Sequence, residues 1–456
     1  MNFKKKIWLI ICVVFVLIIA SACSNADHVG PVSPVDETAA SKDSNREQSS
    51  GSNEEQVGLE INADPVTLQL GLNVGWMGEW EVDLYFTNPV KERYPHIELE
   101  IINLSDPDFA LDKLVVTGQI PDLVMSANPI IYVFTDTGME DNIEPLIEKY
   151  RFDLSKLNEN AVASIKTATG NDFLNGLPWT MHFNATYYNK DIFDKFGVPY
   201  PYDGMTWEEA RELAVRLTRF EDGVQYRGLE TDSPSHFASI FSQPFIDVET
   251  NKASLNNDVW KRAFSFMKSV YDIEGNHEYV WPLANLDQFL REQRLAMLPS
   301  LNLLSHFKNA DGFNWDLSQY PQFEDYPNTG TQVDAWILHI TKQSEHKDQA
   351  FLVLETVLSE EVQIELARNA RFPIMDTPAI QEQFGKGQDY LQGKNLQAAF
   401  LTTPSPALPA TPLNNHGQPI LQAAFHRYMD GTDLNTVLLQ AEEELNQKIA
   451  EVLGGS

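Results

Sequence analysis

Five tryptophans stand where a chain is expected to turn. Trp76 and Trp80 lie in NVGWMGEW, directly after an alternating segment, Trp179 in LPWTM, Trp281 in YVWPLAN and Trp336 in QVDAWILHI. An indole at a strand end beside Gly, Asn or Asp offers a flat apolar platform, and neighbouring amides, carboxylates and imidazoles add hydrogen-bond donors and acceptors. That combination suits a sugar, which presents C–H faces ringed by hydroxyls. Within a strand or helix the same residue is more often core, so each position carries both readings. The densest stretch is GLPWTMHFNATYYNKD, Gly176 to Asp191, where Trp179, His182, Phe183, Tyr187 and Tyr188 alternate with Asn184, Thr186 and Asn189.

Other chemistry leaves no motif. The sequence contains no CxxC, HExxH, GxSxG, phosphate-binding glycine loop or EF-hand loop, and its histidines are scattered. No cofactor, metal or catalytic residue is therefore expected. A glycosidase needs only two carboxylates brought together by the fold, so a lipid-anchored carbohydrate hydrolase or lyase stays as the alternative to a binding protein. The formal net charge is −32, and it grows more negative still once Lys4, Lys5 and Lys6 are removed with the segment they belong to. A surface of that sign repels phosphate backbones, which excludes nucleic acid as a partner.

These residues need elements to hold them. The N-terminus has a basic head, an apolar run from Ile7 to Ile19, and Ala20, Ser21 and Ala22 before Cys23, the pattern of an export signal ending at a lipidated cysteine. The run falls short of the ~20 residues that span a bilayer, which disfavours an uncleaved membrane helix. Cys12 is lost with the signal, so the mature chain has no partner for an internal disulfide and relies on its core. Residues 24–63 are rich in Ser, Asn, Glu and Asp and read as a flexible tether. The chain beyond it is long enough for two domains of ordinary size.

Strand and helix then alternate. VTLQLGLNV (Val66 to Val74) and IELEIINL (Ile97 to Leu104) read as strands, PDLVMS (Pro121 to Ser126) as a short one, and Val82, Tyr85, Phe86 and Val90 as one helical face. Thr206 and Glu209 form a capping box ahead of a helix, and further helices are expected at Trp260 to Tyr271, His346 to Leu358 and Asn435 to Leu453. This order argues for an α/β fold with mostly parallel sheets, whose ligands sit at the carboxyl ends of the strands.

The segment LPWTMHFNATYYNKDIFDKFGVPYPYDGMTWEEARELAVRLT, Leu177 to Thr218, together with YPHIELE, PDLVMS, LAMLPS and DAWILHITKQSEHKDQAFLVLETVLS, resembles the extracellular solute-binding proteins of ABC importers, in the sugar-binding branch that includes maltose-binding protein. The resemblance runs from Val66 to the end of the chain. It implies a two-lobed clamshell with hinge crossovers near Met181 to Asn184, near Val333 to Ala335, and again towards the C-terminal helices. On that basis residues 1–22 are the signal peptide, 23–63 the lipid-anchored linker, 64–181 and 335–385 the N-terminal lobe, and 182–334 and 386–456 the C-terminal lobe. Trp179 and His182 are implied where hinge meets cleft, with His182 in place of a sugar-contacting acid of the family. Glu79 and Asn128 fall in segments that face the cleft, and Asp334 with Trp336 at the second crossover. Phe183, Tyr187 and Tyr188 are expected to pack. The ligand set is then Trp76, Glu79, Trp80, Asn128, Trp179, His182, Trp281, Asp334 and Trp336. The implied protein is a monomer anchored by lipid at Cys23 on the outer face of the cell membrane, with a carbohydrate ligand and the permease subunits of an ABC importer as partners. A receptor that senses rather than transports would read the same way.

Overall fold

Leucines at every second position make the first segment a strand: β1 (Val66–Leu72) buries Leu68, Leu70 and Leu72 completely. The computed structural model describes residues 63–279 and 283–454, and no helix among them is long and apolar enough to cross a membrane. β2 (Ile97–Asn103) and β3 (Leu123–Ala127) follow close to their expected places. Next come β4 (Leu177–Met181) and β5 (Asn184–Asn189), which are buried at every position. Two hairpins pair β6 (Arg219–Glu221) with β7 (Val224–Leu229) and β8 (Ile246–Asp247) with β9 (Lys252–Ala253). The remaining strands are β10 (Leu295–Leu301), β11 (Trp315–Gln319), β12 (Thr329–Gln332), β13 (Ala335–Ile340) and β14 (Thr403–Ser405).

Ten of these strands form two five-stranded sheets, one in each lobe, ordered β2-β1-β3-β13-β4 and β11-β5-β10-β7-β6, while β12 pairs with β14 and β8 with β9 in two-stranded sheets. Both five-stranded sheets are mixed rather than mostly parallel. β1 runs parallel to β2 and β3, and β7 to β10, but β13 is antiparallel to β3 and β4, and β5 to β10 and β11. The cause is the path of the chain. Strands that end at the junction run towards it, whereas β5 and β13 enter their sheets from the other lobe and must run away from it. The first passage takes two residues, His182 and Phe183, and the return from β12 takes Val333 and Asp334; the two are tied by the His182 N–H donating to the Asp334 carbonyl at 2.9 Å.

Helices cover the sheets as their periodicity requires. Val82, Tyr85, Phe86 and Val90 all turn inward from a helical run, Glu79–Arg93, that contains a π turn at Asp83–Thr87. The helix Trp207–Leu217 starts on the expected capping box, with Thr206 Oγ1 accepting from Glu209 N at 3.1 Å and Glu209 Oε2 from Thr206 N at 2.8 Å. The helix Leu434–Gly454 lays Val437, Leu438, Ala441, Leu445 and Ile449 onto the second lobe's core.

One buried histidine makes the fold sensitive to acid. His339 Nδ1 faces the Asn175 carbonyl at 3.0 Å, Nε2 lies 2.6 Å from Ser126 Oγ, and Phe134 stacks on the ring at 4.1 Å. A carbonyl only accepts, so Nδ1 carries the proton and Nε2 accepts from the serine hydroxyl. Burial pushes the imidazole from 6.5 down to about 4, against the smaller opposing effect of the Asn175 carbonyl. The folded state thus binds this proton less readily than the unfolded chain, so stability is fully present above about 6.5 and falls between about 6.5 and about 4, by roughly 3 kcal/mol in all. Urea unfolding at several pH values in that window should show the fall in the parent and a flatter profile in His339→Gln. Equal slopes would count against this origin.

Candidate functional site

The first wall grows from the carboxyl end of β1. After Leu72 the chain turns through Val74–Trp76, steadied by Asn73 Nδ2 donating to the Met125 carbonyl at 3.3 Å and Gly75 N donating to Ser105 Oγ at 2.9 Å. The turn leaves Trp76 and Trp80 37% and 52% exposed, unusual for indoles beside an available core. Gly78 permits this arrangement, because a Cβ there would come within 2.5 Å of Trp80 Nε1.

Trp336, at the start of β13, lies behind these rings with 7% of its surface exposed. Its ring centre is 5.5 Å from that of Trp76, 5.9 Å from Trp179 and 5.9 Å from His182. The Arg371 guanidinium sits over it at 4.6 Å. Glu81 holds that guanidinium in place through two hydrogen bonds, from Nε to Oε1 at 2.9 Å and from Nη2 to Oε2 at 3.0 Å, and Oε2 also accepts from Gly78 N at 2.8 Å. A planar fork gripped at both ends has little freedom to leave. Ala370, just before Arg371, is held at a φ of 61°, a left-handed conformation rare for alanine.

The second wall comes from the other lobe. Beyond β10 a 3-10 helix, Leu304–Asn309, is anchored by buried Leu304 and Phe307, the latter stacked on Trp315 with ring centres 3.8 Å apart. Three residues per turn put every third side chain on the same face. Asn302, Ser305 and Lys308 follow that period, and all three face a cavity of about 600 Å³ shared with Trp76, Trp80, Glu81, His182, Trp336, Arg371, Gln388 and Tyr390. That volume is typical of small-molecule sites. Asn302 also reaches across, its Nδ2 donating to the Ala370 carbonyl at 3.3 Å.

A polar group lies at the junction. Burial holds the half-buried His182 below the ordinary imidazole pKa; the Asp334 carboxylate opposes this, while Arg371 and His236 add to it. A neutral ring results, with one donor and one acceptor. His236 moves the opposite way. Burial acts to lower it but is outweighed by the Asp232 carboxylate, 3.2 Å from Nδ1, with Asp334 contributing. Asp334 Oδ1 is buried without a hydrogen-bond partner among the described residues.

The residues expected from sequence thus divide. Trp76, Trp80, His182 and Trp336 converge on the cavity. Trp179 does not reach it. The ring is fully enclosed between Phe86, Tyr85 and Trp336, since β4 is covered on both faces and leaves no side open. Glu79 is exposed and off the lining, and Glu81, two positions along the same turn, reaches it instead. Asn128 is buried at the end of β3 with both ends of its amide committed, Oδ1 accepting from Ala335 N at 2.8 Å and Nδ2 donating to Ser164 Oγ at 2.9 Å. It borders a smaller opening of about 260 Å³ together with His236. Asp334 stands beside His182 rather than on the lining. Trp281 and Cys23 lie outside the described residues. Sequence reading missed Glu81, Arg371, Asn302, Ser305 and Lys308. For the last three a signal existed in the three-residue spacing of polar side chains through NLLSHFK.

Comparison with known proteins agrees with this fold. Residues 79–364 match the family described as bacterial extracellular solute-binding protein. No curated protein matches the chain. Among solved structures, the chain is similar to an ABC substrate-binding protein of Listeria monocytogenes in complex with cycloalternan, with a TM-score of 0.63 and 19% identity over 86% of this chain and 100% of that one. A cyclic alpha-maltosyl-1,6-maltose binding protein of Arthrobacter globiformis gives 0.66 and 15% over 85% and 100%. UgpB of Mycobacterium tuberculosis in complex with glycerophosphocholine gives 0.65 and 16% over 85% and 99%. At such identities the likeness concerns the fold.

Proposed function

The chain belongs to the bacterial extracellular solute-binding protein family, and we propose that the solute it captures is a carbohydrate, an oligosaccharide held between the two lobes and handed to the permease of an ABC importer. It binds its solute and does not transform it, as its family does. The observation that carries the carbohydrate reading is the pairing of unlike walls across a cavity of about 600 Å³: exposed indoles on one lobe, a file of amide, hydroxyl and ammonium groups on the other. A pyranose ring meets both demands at once, stacking its C–H face on an indole and turning its hydroxyls to the donors. Proteins of similar fold solved with cycloalternan, or named for binding cyclic alpha-maltosyl-1,6-maltose, lend support. In this reading residues 64–181 with 335–385 and residues 182–334 with 386–456 are the moving bodies, and the protein acts as a monomer.

The test is a thermal-shift screen of residues 24–456 against neutral and acidic oligosaccharides, with amino acids and polyols as comparators. A ligand at about a hundred times its Kd adds about 2.7 kcal/mol to the folded state, so a cognate glycan should raise the melting temperature clearly and be recovered unaltered. A rise with a non-carbohydrate solute alone would refute the carbohydrate reading.

Attachment through a lipid on Cys23 completes the proposal, resting on the small residues that precede it. The full-length Cys23→Ala protein should be exported yet found in the medium instead of the membrane fraction. Retention in the membrane would favour an uncleaved apolar segment.

A further inference from the structure

Resting on the saccharide reading, we infer that the captured saccharide is acidic: a uronate whose carboxylate is received by Lys308 beside Ser305. The cavity lining carries three formal charges, on Glu81, Arg371 and Lys308. Two of these cancel, because Glu81 and Arg371 share a bidentate pair and spend their remaining reach on Gly78 and the Trp336 face. The Lys308 side chain makes no ion pair or hydrogen bond among the described residues, and the lining holds no second carboxylate to neutralise it. In a chain of net charge −32, the cavity is therefore a place of net positive charge.

Closure sharpens the consequence. When two lobes shut on a ligand they exclude water, and an ammonium enclosed without a counter-ion is costly. A neutral glycan would leave Lys308 in that state; a carboxylate would supply the missing charge. The three-residue period of the 3-10 helix places Ser305 one turn before Lys308 on the same face, so an oxygen of the carboxylate bound by the ammonium can also accept from the serine hydroxyl. One cation flanked by neutral donors matches a monoanionic carboxylate. A phosphate dianion calls instead for several cations or a forked guanidinium, and the guanidinium present is already engaged.

The experiment is calorimetric titration of residues 24–456 with trimers of galacturonate, glucuronate and mannuronate, each beside its methyl ester, which keeps the ring and removes the charge. One acid should bind about ten- to a hundredfold more tightly than its ester, as a hydrogen-bonded charge contributes. Raising the salt concentration should narrow that gap. In Lys308→Met the preference should fall towards unity, and in Lys308→Arg it should persist; the position is exposed, so both variants should fold, which circular dichroism checks. Tighter binding of a neutral glycan, with no acid exceeding its ester, would overturn the inference and leave the saccharide reading standing. An acid preference unchanged in Lys308→Met would overturn the assignment to this residue. Binding of no glycan, acidic or neutral, would overturn both readings.

Discussion

Arg371→Met is expected to destabilise the apo protein by about 3 kcal/mol, because it strands the Glu81 carboxylate under the aromatic wall with its principal partner gone. The side chains of the pair are only 16% and 10% exposed, so solvent gives little relief. Glu81→Leu should cost a comparable amount by stranding the guanidinium. The double variant should cost clearly less than the sum of the two, since no charge is then left alone. Urea unfolding of the four proteins gives the cycle. Single variants costing under about 1 kcal/mol, in the range of an exposed pair, would show that the bridge is dispensable. Ligand affinity should fall in Arg371→Met as well, because the guanidinium lies over Trp336, 4.6 Å from the ring centre.

Trp336→Ala is expected to cost about 3 to 5 kcal/mol of stability and, in addition, about tenfold to a hundredfold in affinity. The ring is both packing and platform: 7% exposed, wedged against Trp179 and Arg371, yet part of the cavity lining. Trp76 separates the two roles. At 37% exposure it contributes less to the core, so Trp76→Ala should lose affinity on the same scale while the melting temperature of the apo protein barely moves. Trp179→Ala should show the reverse, a loss of stability with affinity reduced only through its support of Trp336. Undiminished binding in both Trp76→Ala and Trp80→Ala would mean that the exposed indoles are not a ligand platform.

These contrasts follow from what was and was not legible in the sequence. Alternation gave β1 and β2 nearly to the residue, and the spacing of Val82, Tyr85, Phe86 and Val90 gave the inward helical face, because both patterns record burial on one side only. β4 carries no such record. Buried at every position, LPWTM looks the same whether Trp179 faces core or cleft. The choice between Glu79 and Glu81 depends on a fraction of a helical turn at the start of a helix, which no pattern fixes. The antiparallel course of β5 and β13 depends on which lobe the chain enters from, a property of the whole path. Arg371 and Glu81 are 290 residues apart, and only the folded chain pairs them. The resemblance to solute-binding proteins filled part of this gap by pointing to the junctions that hold His182 and Asp334.

The fold also explains why the candidate site lies at the junction. Both sheets direct the carboxyl ends of their parallel strands, β1 and β3 in one lobe and β7 and β10 in the other, towards the passages at His182 and Asp334. Loops leaving those ends are free of sheet hydrogen bonding and carry the side chains of the lining, aromatic after β1 and polar after β10. A relative rotation of the lobes about the connections between them would bring the walls together at small cost, so a ligand touching both would stabilise the closed form.

The account is tested most directly by a crystal structure of residues 24–456 with the tightest glycan of the screen. A sugar ring stacked on Trp76, Trp80 or Trp336, with oxygens within hydrogen-bond distance of Asn302, Ser305 or Lys308, is the expected result. Density for the glycan away from that cavity, or in the smaller opening beside His236 alone, would contradict it.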